Sequence, residues 1–478
     1  MLLMRSYIYH IHRLPKNIHY KYQRLNKHKN TQLFDYLLHF ETGSKSCFSG
    51  HRFLQTVATV QNRTSRLLEL LENAKNDNSR LVRLEELNEH LLRYPSARSL
   101  ARRSGVTRIL QHCHESTDKQ IQGEAQKGLV LLGWTVPVKG QGIKILSIDG
   151  GGSRGVIPIE VLKRIQDAAG KEIHEMFDLI CGSSTGAILA FLLGVKKTSL
   201  DECTQMYRHL AQEIFSMNTL IGTGKLFFNH AYYDTLKFEN ILRDALGEVR
   251  LVDTAADRNT PKVLAVSTIV NQSILRPYVF RNYRHRHELK SHYPGNCSHK
   301  LWEALRASSA APGYFEEFKL GRDIHQDGGL LTNSPCALAI HEAKLIWPST
   351  PIQCVISLGT GIYHSPSRRI NSTFSSLREK LLKVVASATD TEAVHTILED
   401  LLPKNVYFRF NPPLKTDIPL DEAEEEKLDK LVADAVHYLD KKQGKIEVTS
   451  RAISLEKTLL QRWRERLNDN YLLPEVVS

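Results

Sequence analysis

Two short segments carry residues whose types and spacing suit acyl transfer: Asp149-Gly150-Gly151-Gly152-Ser153-Arg154-Gly155 and Gly182-Ser183-Ser184-Thr185-Gly186. In the second, G-x-S-x-G puts Ser184 at the apex of a strand-to-helix turn. Small residues two before and two after the serine are needed there, because the two backbones approach closely. The N-terminus of the following helix also favours negative charge developing on the serine oxygen. In the first, three successive glycines let the backbone approach a ligand and aim N–H groups at an oxyanion. A nucleophilic serine also needs a base. Asp323-Ile324-His325-Gln326-Asp327-Gly328-Gly329 reads as a strand ending in an acid on a glycine turn. A partly desolvated Asp327 can take the serine proton directly, as a Ser–Asp dyad without histidine. A Ser–His–acid triad stays open, with His325, His341 and His364 in the right part of the chain.

Two nucleotide readings fare worse. Gly150-x-Gly152-x-x-Gly155 fits the dinucleotide fingerprint, but Asp149 just before it repels a pyrophosphate, and the next strand ends in the serine turn. Gly222-Thr223-Gly224-Lys225 is followed by Leu226, where a phosphate-binding loop needs Ser or Thr.

The elements that must position these residues are legible in the hydrophobic pattern. Lys144 to Ile148 and Phe177 to Cys181 read as buried strands before the two motifs, with helices over Val156–Ala169 and Ala187–Leu193 after them. Further strands are expected at Pro261–Val270, Pro277–Tyr283 and Cys354–Leu358. Strands alternating with helices predict an α/β fold, a mainly parallel sheet flanked by helices. An all-helical, armadillo-like segment is expected over residues 65–134, and a Pro/Gly linker over 135–142. Helices over Asp421–Asp440 and through Leu455, Leu459 and Trp463 are expected to pack without chemistry of their own.

The loop D-G-G-G-x-R-G, the serine turn and the later D-G-G together resemble the patatin-like phospholipase family. That resemblance implies Ser184 as nucleophile, Asp327 as base and Gly150, Gly151 and Gly152 as the oxyanion hole. Arg154 matches the family's basic loop position, and Asp149, Ser153, Gly155, Gly182, Gly186, Gly328 and Gly329 complete the motifs. Arg306-Ala307-Ser308-Ser309-Ala310-Ala311-Pro312 and Asn333-Ser334-Pro335 also look family-like. The similarity covers residues 143–341, the expected catalytic domain, with 342–478 as a C-terminal extension. Ser357-Leu358-Gly359-Thr360-Gly361 and Ser387-Ala388-Thr389-Asp390-Thr391-Glu392 resemble the gamma-type calcium-independent phospholipase A2 branch, from about residue 80 nearly to the end. The implied activity is hydrolysis of fatty-acyl esters of glycerophospholipids at a membrane met peripherally, with no metal or cofactor. A neutral-lipid hydrolase and a catalytically silent lipid-binding scaffold are the alternatives. The vertebrate members of that branch end in a peroxisomal S-K-L-type tripeptide. This chain ends Glu475-Val476-Val477-Ser478, so that import route is not expected.

Composition narrows the setting. The chain has 478 residues and a formal net charge of +12. Residues 1–34 hold seven Lys or Arg and no Asp or Glu, so 1–64 reads as a basic targeting segment of mitochondrial type. The cytoplasm and the endoplasmic reticulum membrane are the alternatives. No nucleic-acid-binding signature accompanies the charge, and nucleic acid is not an expected partner. Seven cysteines without C-x-x-C spacing argue for a reducing compartment and against a disulfide or zinc framework. On that ground the glycosylation patterns at Asn62 and Asn371 are discounted. Arg98, Arg102, Arg103 and Arg108 give the helical segment a basic side, and Arg281 to His287 form a basic loop that could meet phosphate headgroups. Oligomeric state is not legible.

Overall fold

The structure is a computed structural model that describes residues 48–216, 233–286, 288–363 and 391–463. The chain divides into two units, Met1–Asn62 and Arg63–Ser478. The basic stretch of residues 1–34, Gly222 to Lys225, His287, His364, Asn371, Ser387 to Asp390 and the chain end lie outside the described residues.

In the larger unit, five parallel strands make the sheet's spine: β1 (Ile143–Ile148), β2 (Leu179–Ser183), β3 (Lys262–Ile269), β8 (Ile352–Leu358) and β9 (Tyr407–Phe410). Their order is β3-β2-β1-β8-β9. On the β3 side the sheet turns antiparallel. There β4 (Arg276–Arg281) pairs with β3 and then with β5 (Gly295–Asn296), while β7 (Asp323–Asp327) pairs with β3 and with β6 (Phe318–Leu320). A parallel sheet must be covered on both faces, so β1, β2 and β3 are buried along their whole length. In β1, Leu146 and Ile148 enter one core while Ile143 and Ile145 enter the other. The expected α/β architecture, with N- and C-terminal helices, is the one observed.

The first core is closed by helices α6 (Val156–Ala169), α7 (Thr185–Phe191), α8 (Leu200–Phe215), α9 (Thr235–Leu246), α10 (Leu301–Ser308), α13 (Glu425–Lys441) and α14 (Gln443–Ser454). The second is closed chiefly by α11 (Cys336–Ile346) and by Leu398 of α12 (Thr391–Leu401). Each fully buried Leu, Ile or Val in these layers contributes about 1.5–3 kcal/mol before the entropy of ordering it.

The helical segment begins earlier than expected, with α1 (Phe48–Glu72), so the boundary placed between residues 64 and 65 falls inside a helix. Four more helices follow: α2 (Asp77–Arg93), α3 (Ala97–Arg103), α4 (Val106–His114) and α5 (Lys119–Leu131). Helix α5 packs on α2 and α4, and its other side meets the turn Leu251–Ala256. Ion pairs Lys127–Asp253 (3.2 Å), Arg250–Glu89 (2.6 Å) and Arg102–Glu288 (3.2 Å) fringe that contact. Arg98 is not part of an outer basic side. It is buried, and its Nε donates to the Leu91 carbonyl at 2.8 Å. The boundary at 341/342 likewise cuts through α11, and β8 lies beside β1 in mid-sheet, so the C-terminal third belongs to the same core. The helix expected from Asp421 starts at Glu425, and α14 precedes Leu455, which lies between helices.

Six cysteines, at 113, 181, 203, 297, 336 and 354, are free and buried. Among the described residues no helix is long and apolar enough to cross a membrane.

Candidate active site

Four of the five parallel strands run out at one edge of the sheet, and the residues that follow them converge. Asp149 follows β1, Ser184 follows β2, Thr360 lies just beyond β8 and Asn411 follows β9. All four line one cavity of about 540 Å³. The carboxyl edge of a parallel sheet is where α/β proteins generally place ligands.

Ser184 sits between β2 and α7 with φ 53° and ψ −124°, a left-handed conformation that a side chain adopts only under strain. Gly182 and Gly186 make this turn possible. A Cβ on Gly182 would lie 2.1 Å from the Gly186 carbonyl oxygen, and one on Gly186 would lie 2.3 Å from that of Ile148. Ser308 braces the turn from α10: its Oγ accepts the Ser184 N–H at 3.0 Å and donates to the Val266 carbonyl at 2.6 Å.

Asp327 arrives on β7 and faces the serine. Ser184 Oγ donates to Asp327 Oδ2 at 2.6 Å, and the Gly329 N–H donates to Oδ1 at 2.7 Å. The carboxylate is held in place through its own backbone, whose N–H donates to Ala310 O at 2.9 Å and whose carbonyl accepts from Thr268 Oγ1 at 3.1 Å. Burial pushes the Asp327 carboxyl up to about 6, although the bonds from Ser184 and Gly329 pull it back. A base poised there is ionised at neutral pH yet basic enough to take a proton as the serine attacks. Below about pH 6 the carboxyl is protonated and cannot accept that proton. Initial rates of ester hydrolysis measured from pH 4.5 to 9 should therefore rise through about pH 6 and level off, and an acid limb controlled by a single group is the check.

The glycine loop passes close to the serine and turns from Gly152 to Gly155 in a short 3-10 helix. Gly150 is already engaged: its N–H donates to Asn333 O at 3.2 Å, and its carbonyl accepts from Thr360 Oγ1 at 3.0 Å. The amides of Gly151 and Gly152 have no hydrogen-bond acceptor among the described residues. Of the three expected oxyanion donors, Gly151 and Gly152 are thus the free ones. Gly152 has φ +57°, and a Cβ there would sit 2.0 Å from the Leu420 carbonyl oxygen. Gly152→Ala should displace the loop and lower turnover about 10²–10³-fold, the loss typical of one misplaced oxyanion donor. Steady-state kinetics at unchanged Ser184 chemistry would show it.

The remaining motif residues have mixed placements. Arg154 lines the cavity, but its guanidinium is spoken for, donating from Nε to Ile418 O at 2.7 Å and lying 3.5 Å from Asp417. Ser153 N–H donates to Leu420 O at 2.8 Å, and Asp149 is buried against Arg409 at 2.7 Å. Of the histidine alternatives, His325 and His341 are not brought to the serine, and His364 lies outside the described residues. His325 is buried with its Nδ1 on Ser267 Oγ at 2.9 Å, burial holds its pKa down to about 4, and it does not line the cavity. His341 lies on α11, where its Nε2 accepts the His292 N–H at 3.3 Å. The basic loop at 281–286 also turns inward: Arg281 and His285 meet the fully buried Glu342 at 2.9 and 2.8 Å. That pairing, with burial opposing it, holds the Glu342 carboxyl down at about 2. Arg281 and His285 are thus turned into the fold, while Arg286 is exposed.

The wall opposite the polar edge is formed by Leu210, Ile214, Phe215, Phe238, Tyr314 and Phe315, with Phe238 stacked on Phe315 at 4.7 Å. Arg409, Thr360 and Leu420 were not legible as site residues. They lie on a short strand and two loops of ordinary composition, and only the sheet order carries them to the glycine loop.

A serine strained on a turn and bonded to a buried carboxylate, beside a glycine loop and an apolar cavity, is an arrangement suited to a serine acyl hydrolase. Residues 146–340 match the family model described as patatin-like phospholipase, so the chain carries a domain of that family. It is 46% identical over 417 residues to the calcium-independent phospholipase A2-gamma of Homo sapiens, covering 86% of this chain and 53% of that protein. Phospholipase A I of Arabidopsis thaliana is 32% identical over 322 residues, covering 57% of this chain and 25% of that one. Among solved structures, human GIVD cytosolic phospholipase A2 aligns with a TM-score of 0.37 at 12% identity, covering 75% of this chain and 64% of the other. The chain spans about half the length of the gamma-type relatives it matches.

Proposed function

We propose that this chain hydrolyses fatty-acyl esters of glycerophospholipids, releasing a fatty acid and a lysophospholipid, through a Ser184–Asp327 dyad and an acyl-serine intermediate. The observation that carries it is the 2.6 Å bond from Ser184 Oγ to Asp327 Oδ2 at the edge of an apolar cavity. Asp327 takes the serine proton as Oγ attacks the ester carbonyl. The Gly151 and Gly152 amides hold the tetrahedral oxyanion, and the leaving alcohol departs with the proton. Water, deprotonated by Asp327, then attacks the acyl-serine and restores the hydroxyl.

The apolar wall supports a fatty-acyl chain as the group bound beside the serine, since burying each methylene there contributes about 0.8 kcal/mol. The substrate is a membrane phospholipid met peripherally, at a mitochondrial membrane, in keeping with the basic stretch of residues 1–34. Calcium is not required on this reading, because the amides supply the hydrogen bonds that stabilise the oxyanion. The test is fatty-acid release from phosphatidylcholine vesicles and from triacylglycerol emulsions, with and without a calcium chelator. Faster release from phosphatidylcholine, unchanged by the chelator, is expected. Preference for triacylglycerol would make the protein a neutral-lipid hydrolase, and no release from either would leave a binding scaffold.

A further inference from the structure

Residues within 357–363 and 391–422, beyond the stretch that matches the family model, hold the glycine loop at several points. Beneath it, Arg409 of β9 reaches Asp149, the first residue of the loop, at 2.7 Å. The same guanidinium donates to Ser357 Oγ of β8 at 3.0 Å and to Glu392 of α12 at 3.0 Å. Asn411, two residues on, donates to the same Glu392 oxygen at 2.9 Å and accepts the Gly361 N–H at 2.9 Å. To one side, Thr360 Oγ1 donates to Gly150 O at 3.0 Å. Above, the Leu420 carbonyl accepts Ser153 N–H at 2.8 Å, and the Glu422 N–H donates to Ser153 Oγ at 3.1 Å.

Arg409 and Asp149 have side chains only 3% and 2% exposed, so each is the other's main counter-charge in a desolvated site. Ser334 adds a side-chain hydrogen bond to the Asp149 carboxylate, and the Asp149 N–H donates to Leu358 O at 2.9 Å. Arg409 is the cation that faces this carboxylate and, with Ser334, orients it. Asp149 leads directly into the three glycines of the loop. Only a planar fork reaches Asp149, Glu392 and Ser357 together, which an ammonium cannot reproduce.

We propose that Arg409 is a positioning residue for the reaction: through Asp149 it sets the glycine loop so that the Gly151 and Gly152 amides face the oxyanion formed at Ser184. The proposal rests on the acyl-serine reading above. It makes the C-terminal third of the chain part of the catalytic apparatus rather than an appendage, since the loop's anchor lies outside the matched domain.

The experiment uses the full chain with Arg409→Lys, Arg409→Gln and the charge-free pair Asp149→Asn/Arg409→Gln. The pair leaves no unpartnered charge buried, the main hazard of a single neutral substitution. Working sites are counted by titration with a fluorophosphonate, its adduct mapped to Ser184, and kcat and KM for a soluble fatty-acyl ester are expressed per titrated site. Arg409→Lys is expected to lose about tenfold in kcat, and the other two about 10²–10³-fold, as for a lost oxyanion donor. KM should stay within about twofold, since the apolar wall that binds the acyl chain is untouched. Wild-type kcat per titrated site in any variant overturns the proposal. So does loss of the folded state in all three by thermal unfolding, because the pair would then hold the fold and not the loop. A wild-type chain that does not titrate at Ser184 fails the acyl-serine reading itself, which separates the two failures.

Discussion

Ser184→Ala should lower kcat for ester hydrolysis on the order of a million-fold, the scale seen when the nucleophile of a serine hydrolase is removed. What remains is the rate that free amides and a shaped cavity give to attack by water. The fold should survive, because the Ser184 hydroxyl is only partly buried and its one side-chain bond is to Asp327. Losing that donor removes one of the two bonds that hold the Asp327 pKa down, so the carboxyl should titrate still higher than about 6. Position 184 also carries backbone strain at φ 53° that alanine does not relieve. Ser184→Gly should be equally inactive yet more stable than the alanine variant by about 1 kcal/mol. Comparing the two unfolding curves separates the strain from the chemistry.

Asp327→Asn should cost about 10²–10⁴-fold in kcat, the usual share of a general base, and should stabilise the fold. The sign follows from the direction of the shift. The folded carboxyl is raised from 3.8 to about 6, so between those values the native state binds more protons than the unfolded chain. The penalty is therefore absent below about pH 3.8, grows as pH rises towards the folded value of about 6 and is complete above it. Above it, ionised Asp327 costs the fold on the order of 3 kcal/mol. An uncharged amide that still offers an oxygen to the Gly329 N–H escapes that cost. Thermal unfolding at pH 8 should show the asparagine variant more stable than the wild type, with the gap closing towards pH 4. Equal stability across that range would mean that Asp327 is not the desolvated base its surroundings make it.

Much of this site could be read before any fold was known, because its chemistry is local in sequence. Ser184 needs Gly182 and Gly186 within two residues, the amides come from three neighbouring glycines, and Asp327 ends a strand at a glycine turn. Short apolar runs likewise mark β1 and β2 as buried strands, and Val156–Ala169 is a helix over the expected residues. The parts that escaped are those that need long-range pairing. Arg409 lies in Tyr407-Phe408-Arg409-Phe410, where alternation suggests a strand with an outward charge. Only the placement of β9 beside β8, and β8 beside β1, buries that charge against Asp149. The basic loop near Arg281 misleads for the same reason, since its partner Glu342 lies far along the chain on α11. The sharp division at 341/342 also fails on β8, a strand inserted late in sequence but central in space.

The dyad itself is tested most directly by trapping the acyl-enzyme. The chain is mixed with a fatty-acyl ester of a good leaving group, quenched in acid within the first turnover, digested and read by mass spectrometry. The account predicts one acyl adduct, on the peptide containing Ser184, present in the wild type, slower to form in Asp327→Asn and absent in Ser184→Ala. Ester turnover with no adduct at Ser184, or an adduct on another residue that survives in Ser184→Ala, would contradict it.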